Sequence, residues 1–78
     1  MNGFHMSTTQ RWTTKERYYV LHVQTNLFGE WELLKAWGGR GSRLGQHRAV
    51  LADDRTDALR LLAEEACRRE KRGYRRVG

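Results

Sequence analysis

Apolar and polar residues alternate most cleanly between Arg17 and Thr25, RYYVLHVQT, where Tyr19, Leu21 and Val23 fall on one side and Tyr18, His22 and Gln24 on the other. A period of two marks a strand with one buried face, and only Val20 blurs it. NLFGE follows, with Asn and Gly around Phe28, which is the chemistry of a turn. Glu30 to Trp37, EWELLKAW, predicts a second strand, with Trp31 and Leu33 pointing one way and Leu34 and Ala36 the other. The two strands are expected to pair as a hairpin. GGRGSRLG, residues 38–45, carries four glycines in eight positions and is expected as a loop, before a third strand over Gln46 to Leu51, QHRAVL. Asp53 and Asp54 are candidate N-caps for a helix from Thr56 to about Lys71, a stretch rich in Ala, Leu, Glu and Arg. Its expected apolar stripe is Leu59, Leu62, Ala63, Ala66 and Cys67, with Arg60, Glu64, Glu65 and Arg68 facing out. Gly73 ends the helix, and Tyr74 to Val77 suggest a short last strand. Residues 1–14 show no hydrophobic period and read as a flexible leader to a domain over 15–78. The expected fold is α+β, a small antiparallel sheet packed against one C-terminal helix.

Composition narrows what such a domain can do. Seventy-eight residues at 38% hydrophobic allow one modest core. A chain this short buries only about 60% of its unfolded surface, which leaves little for a deep catalytic pocket. No apolar run approaches the ~20 residues of a membrane span. MNGFHMSTTQ lacks the basic and apolar regions of a signal peptide. Cys67 is the single cysteine, so no intrachain disulfide forms, and a reducing cytoplasm is expected, beside the nucleoid. In its helical setting Cys67 reads as a small buried hydrophobe. Fifteen Lys and Arg against nine Asp and Glu give a net charge of +6, which points to a polyanionic partner, either nucleic acid or an anionic membrane.

The segment that carries chemistry is LFGEWELLKAWGGRGSRLGQ, residues 27–46. Trp37 precedes a glycine pair, so an indole is expected at a strand end with open space beside it. A nucleotide can stack there, a contact worth ~1–3 kcal/mol per base. Gly38 and Gly39 let backbone N–H groups approach phosphate oxygens. Lys35, Arg40, Arg43 and Arg48 surround the loop as cationic phosphate contacts. The alternative is that Trp37 belongs to the core and the glycine segment is a long hairpin turn. Trp31 is read as core. The cluster Arg68, Arg69, Lys71, Arg72, Arg75 and Arg76 is either a second phosphate patch or a solvated helix end, since a helix C-terminus favours cations anyway.

The order of these elements resembles the WGR domain family, known from DNA-dependent poly(ADP-ribose) polymerases and many bacterial proteins. The matching features are the aromatic strand, the L-F-G turn, W-x-L, the Trp-Gly loop, Gly45-Gln46, the helix and the closing KRGY, residues 71–74. The resemblance spans about residues 17–76. It implies a DNA-binding module in which Trp37 stacks on sugar and base at a strand terminus, with Gln46 part of the same segment. One position departs from the pattern. Gly39 stands where the family's naming arginine follows Trp-Gly, and the arginine comes one residue later, as Arg40. In the polymerases that arginine is associated with contacts between DNA and neighbouring domains, so a polymerase-coupled role is not carried over.

His22, His47 and Cys67 lack metal-ligand spacing, and structural zinc needs four ligands. GGRGSRLG has no G-K-[ST] ending, and no nucleophile–base pair stands out. The sequence therefore predicts a monomeric, non-catalytic module without cofactor. It would bind DNA independently of sequence at duplex ends, nicks or gaps, for instance in DNA repair, with a DNA-processing enzyme as a partner and no membrane. Two other readings use the same surface: an adaptor docking an acidic protein, and a binder of single-stranded RNA.

Overall fold

The computed structural model describes residues 8–78. The strands are β1 Thr9–Thr13, β2 Arg17–Thr25, β3 Trp31–Gly39, β4 Gly45–Leu51 and β5 Arg75–Arg76, with helix α1 at Arg55–Lys71 between the last two. They form one antiparallel sheet in the order β4-β3-β2-β1-β5, and α1 packs against β2 and β3. The class is α+β, as the pattern predicts.

The alternation in β2 sets the faces. Tyr19, Leu21 and Val23 are buried under the helix. In register they meet Trp37, Lys35 and Leu33 of β3, and facing residues of an antiparallel pair share a side. With Trp12, Ala58 and Leu62 they form the core, and Trp31, Trp37, Leu59, Leu61 and Tyr74 pack at its margin. Trp31, expected as core, is thus half-buried at the edge of the cluster. The fully enclosed tryptophan is Trp12, 5% exposed.

Trp12 corrects the expectation of a flexible leader over residues 1–14. Residues 1–7 lie outside the described residues, but Thr9–Thr13 form β1, paired with β2 from Thr9↔His22 to Thr13↔Tyr18. TQRWT has no apolar period because it buries one large side chain. Its place in the sheet comes from backbone pairing with β2 on one side and β5 on the other.

The β2–β3 turn is built around Asn26, whose side-chain oxygen accepts from the N–H groups of Phe28 and Glu30. Gly29 takes φ +77, which disfavours any side chain there. Asp54 caps the helix by accepting from the Asp57 N–H. Asp57 in turn accepts from the Asp53 N–H and from Arg60. Those two contacts, the backbone N–H foremost, hold its carboxyl below the usual carboxylate range. Gly73, at φ +86, reverses the chain into β5.

The helix buries Ala58, Leu62, Glu65 and Arg69 against the sheet; of the expected stripe Leu62 is buried and Leu59 and Ala66 pack at the core's margin, but the other two members do not. Ala63 and Cys67 are exposed, so Cys67 is not the buried hydrophobe its setting suggests. Two charges take their place because the neighbours accommodate them. Glu65 is bridged by Lys35 at 3.4 Å and Arg68 at 3.0 Å. The Arg69 guanidinium lies 4.1 Å from the centre of the Tyr19 ring and 5.1 Å from that of Tyr74.

Candidate nucleic-acid interface

The β1–β2 turn, the β3–β4 loop and the C-terminal end of α1 gather at one end of the sheet. Lys15, Arg17, Arg40, Arg43, Lys71 and Arg72 are there, all exposed. The opposite end holds the β2–β3 turn and the helix N-terminus, with Glu30, Asp53 and Asp54. The positive net charge is therefore concentrated at the end that carries Trp37.

Trp37 is half-buried on the helix side of β3. Its indole stacks on Tyr19, ring centres 5.5 Å apart and planes 12° from parallel. Tyr19 is braced in turn by the edge of Tyr74 and by Arg69. Burial, helped by the nearby Glu65 carboxylate, pushes the Tyr19 hydroxyl above its ordinary value of 10.0, so the phenol stays neutral beneath the indole. One face of Trp37 is thus taken by the protein. Toward β4 its register partner is exposed Gln46. Here a cleft of about 500 Å³ opens, lined by Trp37, Gly38, Gly39, Gln46, Glu16 and Arg17 among others.

Four residues expected at the site, Trp37, Gly38, Gly39 and Gln46, therefore share one cleft. The cations divide. Lys35 points under the helix and is bound to Glu65, which removes it from the surface expected to meet phosphate. Arg48 is exposed on β4 beside Lys35 in register, and Arg43 is exposed in the loop. Arg40, one residue past the strand, lines grooves with Thr13 and Arg75 on the other side of the sheet, away from the Trp37 cleft. The cation that does line the cleft is Arg17, the register partner of Gly39. Its sequence position marks it only as the end of a strand, and the signal that points to the cleft is the hairpin register, which pairs it with Gly39.

Gly38 and Gly45 have a structural reason to be glycine. They face each other across β3 and β4, and Tyr18 faces Gly38 from β2. A Cβ at Gly38 would come 3.0 Å from the Tyr18 ring and hydroxyl, and one at Gly45 would come 2.6 Å from the hydroxyl. The Tyr18 ring therefore lies down over both, on the side without the helix. Gly39 is different: a Cβ there meets nothing closer than 3.7 Å. Its φ lies outside the left-handed region, so the position that carries arginine in the family has room for a side chain.

The chain belongs to the WGR domain family, whose model matches residues 3–78. WGR domains are in general nucleic-acid-binding modules that act at DNA breaks. The match takes in nearly all of the 78 residues. The chain is also 39% identical over 59 residues to an uncharacterized protein, y4dW, of Sinorhizobium fredii. That match covers 76% of this chain and 28% of the relative, so the chain spans little more than a quarter of the relative's length. No solved structure matches it significantly. No helix among the described residues is long and apolar enough to cross a membrane.

Proposed function

We propose that this chain is a non-catalytic module that holds DNA at strand ends, nicks or gaps without reading sequence. Trp37 is the platform. The observation that carries the reading is the indole's position, backed by Tyr19 on one face and bordered by an open cleft at the basic end of the molecule. A nucleotide at a strand terminus has one face free and can stack on such a surface at little cost. Inside a continuous duplex the same face is covered, and exposing it costs a few kcal/mol. Arg17 in the cleft, with Arg43 and Arg48 nearby, supplies cations for the flanking phosphates. The helix's outward face mixes Glu64 with Arg60 in an ion pair, so nothing on it resembles a base-reading row. A DNA-processing enzyme is the partner class that such a module would serve.

The test is a competition in which closed, nicked and once-cut forms of one plasmid displace a labelled duplex. Ends and nicks should compete at least about tenfold better per site, because ~1.4 kcal/mol of stacking is a factor of ten. Trp37→Ala should weaken binding to ends by ~1–3 kcal/mol. Equal competition by all three forms would reduce the protein to a generic basic surface.

A second reading, a protein-docking module, has one observation in its favour. Leu27 and Phe28 are 100% and 87% exposed at the tip of the rigidly bonded β2–β3 turn. Their neighbours Glu30, Asp53 and Asp54 suit a partner that is apolar and basic, not an acidic one. The tip lies beyond Trp31 and the cleft beyond Trp37, about 20 Å apart along β3, so both readings can hold together.

A further inference from the structure

We propose that the face of the sheet without the helix is a binding site for single-stranded DNA, taking the unpaired strand next to a terminus held at Trp37. A groove of about 520 Å³ runs there over Tyr18, Val20 and Val77, rimmed by Arg11, Arg40 and Arg75. It adjoins a second hollow of about 330 Å³ that shares Arg40 and Arg75 and adds Lys15. Ligand sites fall in the range of about 300–1,000 Å³, so each can take a small group.

The chemistry of the lining selects the occupant. Neither hollow is lined by any Asp or Glu. None of the four cations forms an ion pair among the described residues, where the salt bridges are those of Lys35, Arg60 and Arg68. Four uncompensated cations call for a polyanion. The apolar floor calls for something flat between the phosphates. The Tyr18 ring lies along the sheet over Gly38 and Gly45, so its outer face is presented to the groove. An aromatic floor with a cationic rim is what tracks a single strand, with bases stacked and phosphates paired. Duplex DNA keeps its bases stacked on each other and would leave that floor uncovered.

Continuity with the cleft completes the argument. Gly39 lines the Trp37 cleft and Arg40, the next residue, lines the groove. A strand leaving the cleft needs only to round the end of β3 to reach it. The proposal rests on the reading of Trp37 as an end-binding platform, and it adds what becomes of the strand beyond the terminus.

The experiment uses the full chain with labelled duplexes of one sequence, blunt or carrying an unpaired extension of about ten nucleotides. The overhang should bind about tenfold tighter at low salt. Its affinity should fall more steeply with salt, by a slope of about 0.7 for each further phosphate. The double variant Arg11→Ala/Arg75→Ala should erase the overhang advantage and leave blunt-end affinity unchanged. Both side chains are exposed, and a melting curve checks that the variant is folded. An overhang advantage that survives the double variant overturns the groove. So does equal binding of the two duplexes while Trp37→Ala still weakens the blunt one, and this outcome spares the end-binding reading. Failure of wild type to bind any DNA removes both. Poly-glutamate displacing the overhang as well as an oligothymidylate of equal charge would make the groove an acidic-peptide site and overturn the proposal.

Discussion

Tyr18 and Tyr19 are adjacent in the chain and lie on opposite faces of the sheet, and the two faces treat positive charge differently. On the helix side Lys35 and Arg68 converge on one buried carboxylate, Glu65, and Arg69 is held over the rings of Tyr19 and Tyr74. Those cations are engaged by groups of the fold, Arg68 from an exposed position, while Arg17 and Arg48 share this side by register without an ion pair among the described residues. On the bare side Arg11, Arg40 and Arg75 surround an aromatic floor without an ion pair among the described residues. Net charge alone cannot tell these apart. A cation's availability to a polyanion depends on which face its strand position gives it and on whether a carboxylate waits there.

The largest expected effect tests what supports both faces. Trp12 is buried on the helix side, while its neighbour Arg11 faces the other way from the same strand. Trp12→Ala should cost ~3–5 kcal/mol, since truncating a core aromatic leaves a cavity in a small domain. Trp31→Ala and Trp37→Ala, at the core's margin, should cost less. Thermal melts of the three variants decide the ranking. If Trp12→Ala proves the mildest, then β1 is not an anchor and the bare face has no fixed floor.

A smaller effect probes that floor directly. Gly45→Ala forces a methyl to within 2.6 Å of the Tyr18 hydroxyl unless the ring moves. The substitution should cost about 1–2 kcal/mol, typical of an overpacked contact. In a Tyr18→Ala background the same change should cost almost nothing, giving a coupling of about 1–2 kcal/mol. Denaturant midpoints of the four proteins measure it. Additive losses would mean that the ring does not rest on the glycine, and the flat aromatic floor would be lost with it.

How much of this was legible in the sequence follows the same division. The alternation in RYYVLHVQT, the Asn-Gly turn, the Asp54 cap and Gly73 all act through local chemistry, so each was readable and each lies where expected. β1 was hidden because TQRWT contributes backbone pairing and one buried indole, which no period can display. The helix stripe was only partly legible because its pattern sets Glu65 outward and leaves Arg69 in the basic cluster of the helix end, whereas both are buried. Their burial depends on Lys35, Tyr19 and Tyr74, which reach them only through tertiary packing. The cleft was partly readable: Trp37, Gly38, Gly39 and Gln46 come from one continuous segment. The cations were not, since the sequence places both Lys35 and Arg40 within three residues of Trp37. Only the sheet sends one under the helix and the other to the far face.

The smallest expected effect sharpens that last distinction. A cation that meets a phosphate of duplex DNA releases condensed counterions, and its loss lowers the salt slope of log affinity by about 0.9. Arg17 lines the Trp37 cleft without an ion pair among the described residues, whereas Lys35 is committed to Glu65. Arg17→Gln should therefore reduce the slope by one phosphate, which between 50 and 200 mM salt changes the loss of affinity only about three- to fourfold. Lys35→Gln keeps a hydrogen-bond donor beside Glu65 and removes the charge, so it should leave the slope as it was. Titrations of a nicked duplex with both variants across that salt range make the comparison. If Lys35→Gln lowers the slope as much as Arg17→Gln does, the lysine is shared with the DNA. The helix face would then not be neutralised from within, and the contrast between the two sides of the sheet would have to be redrawn.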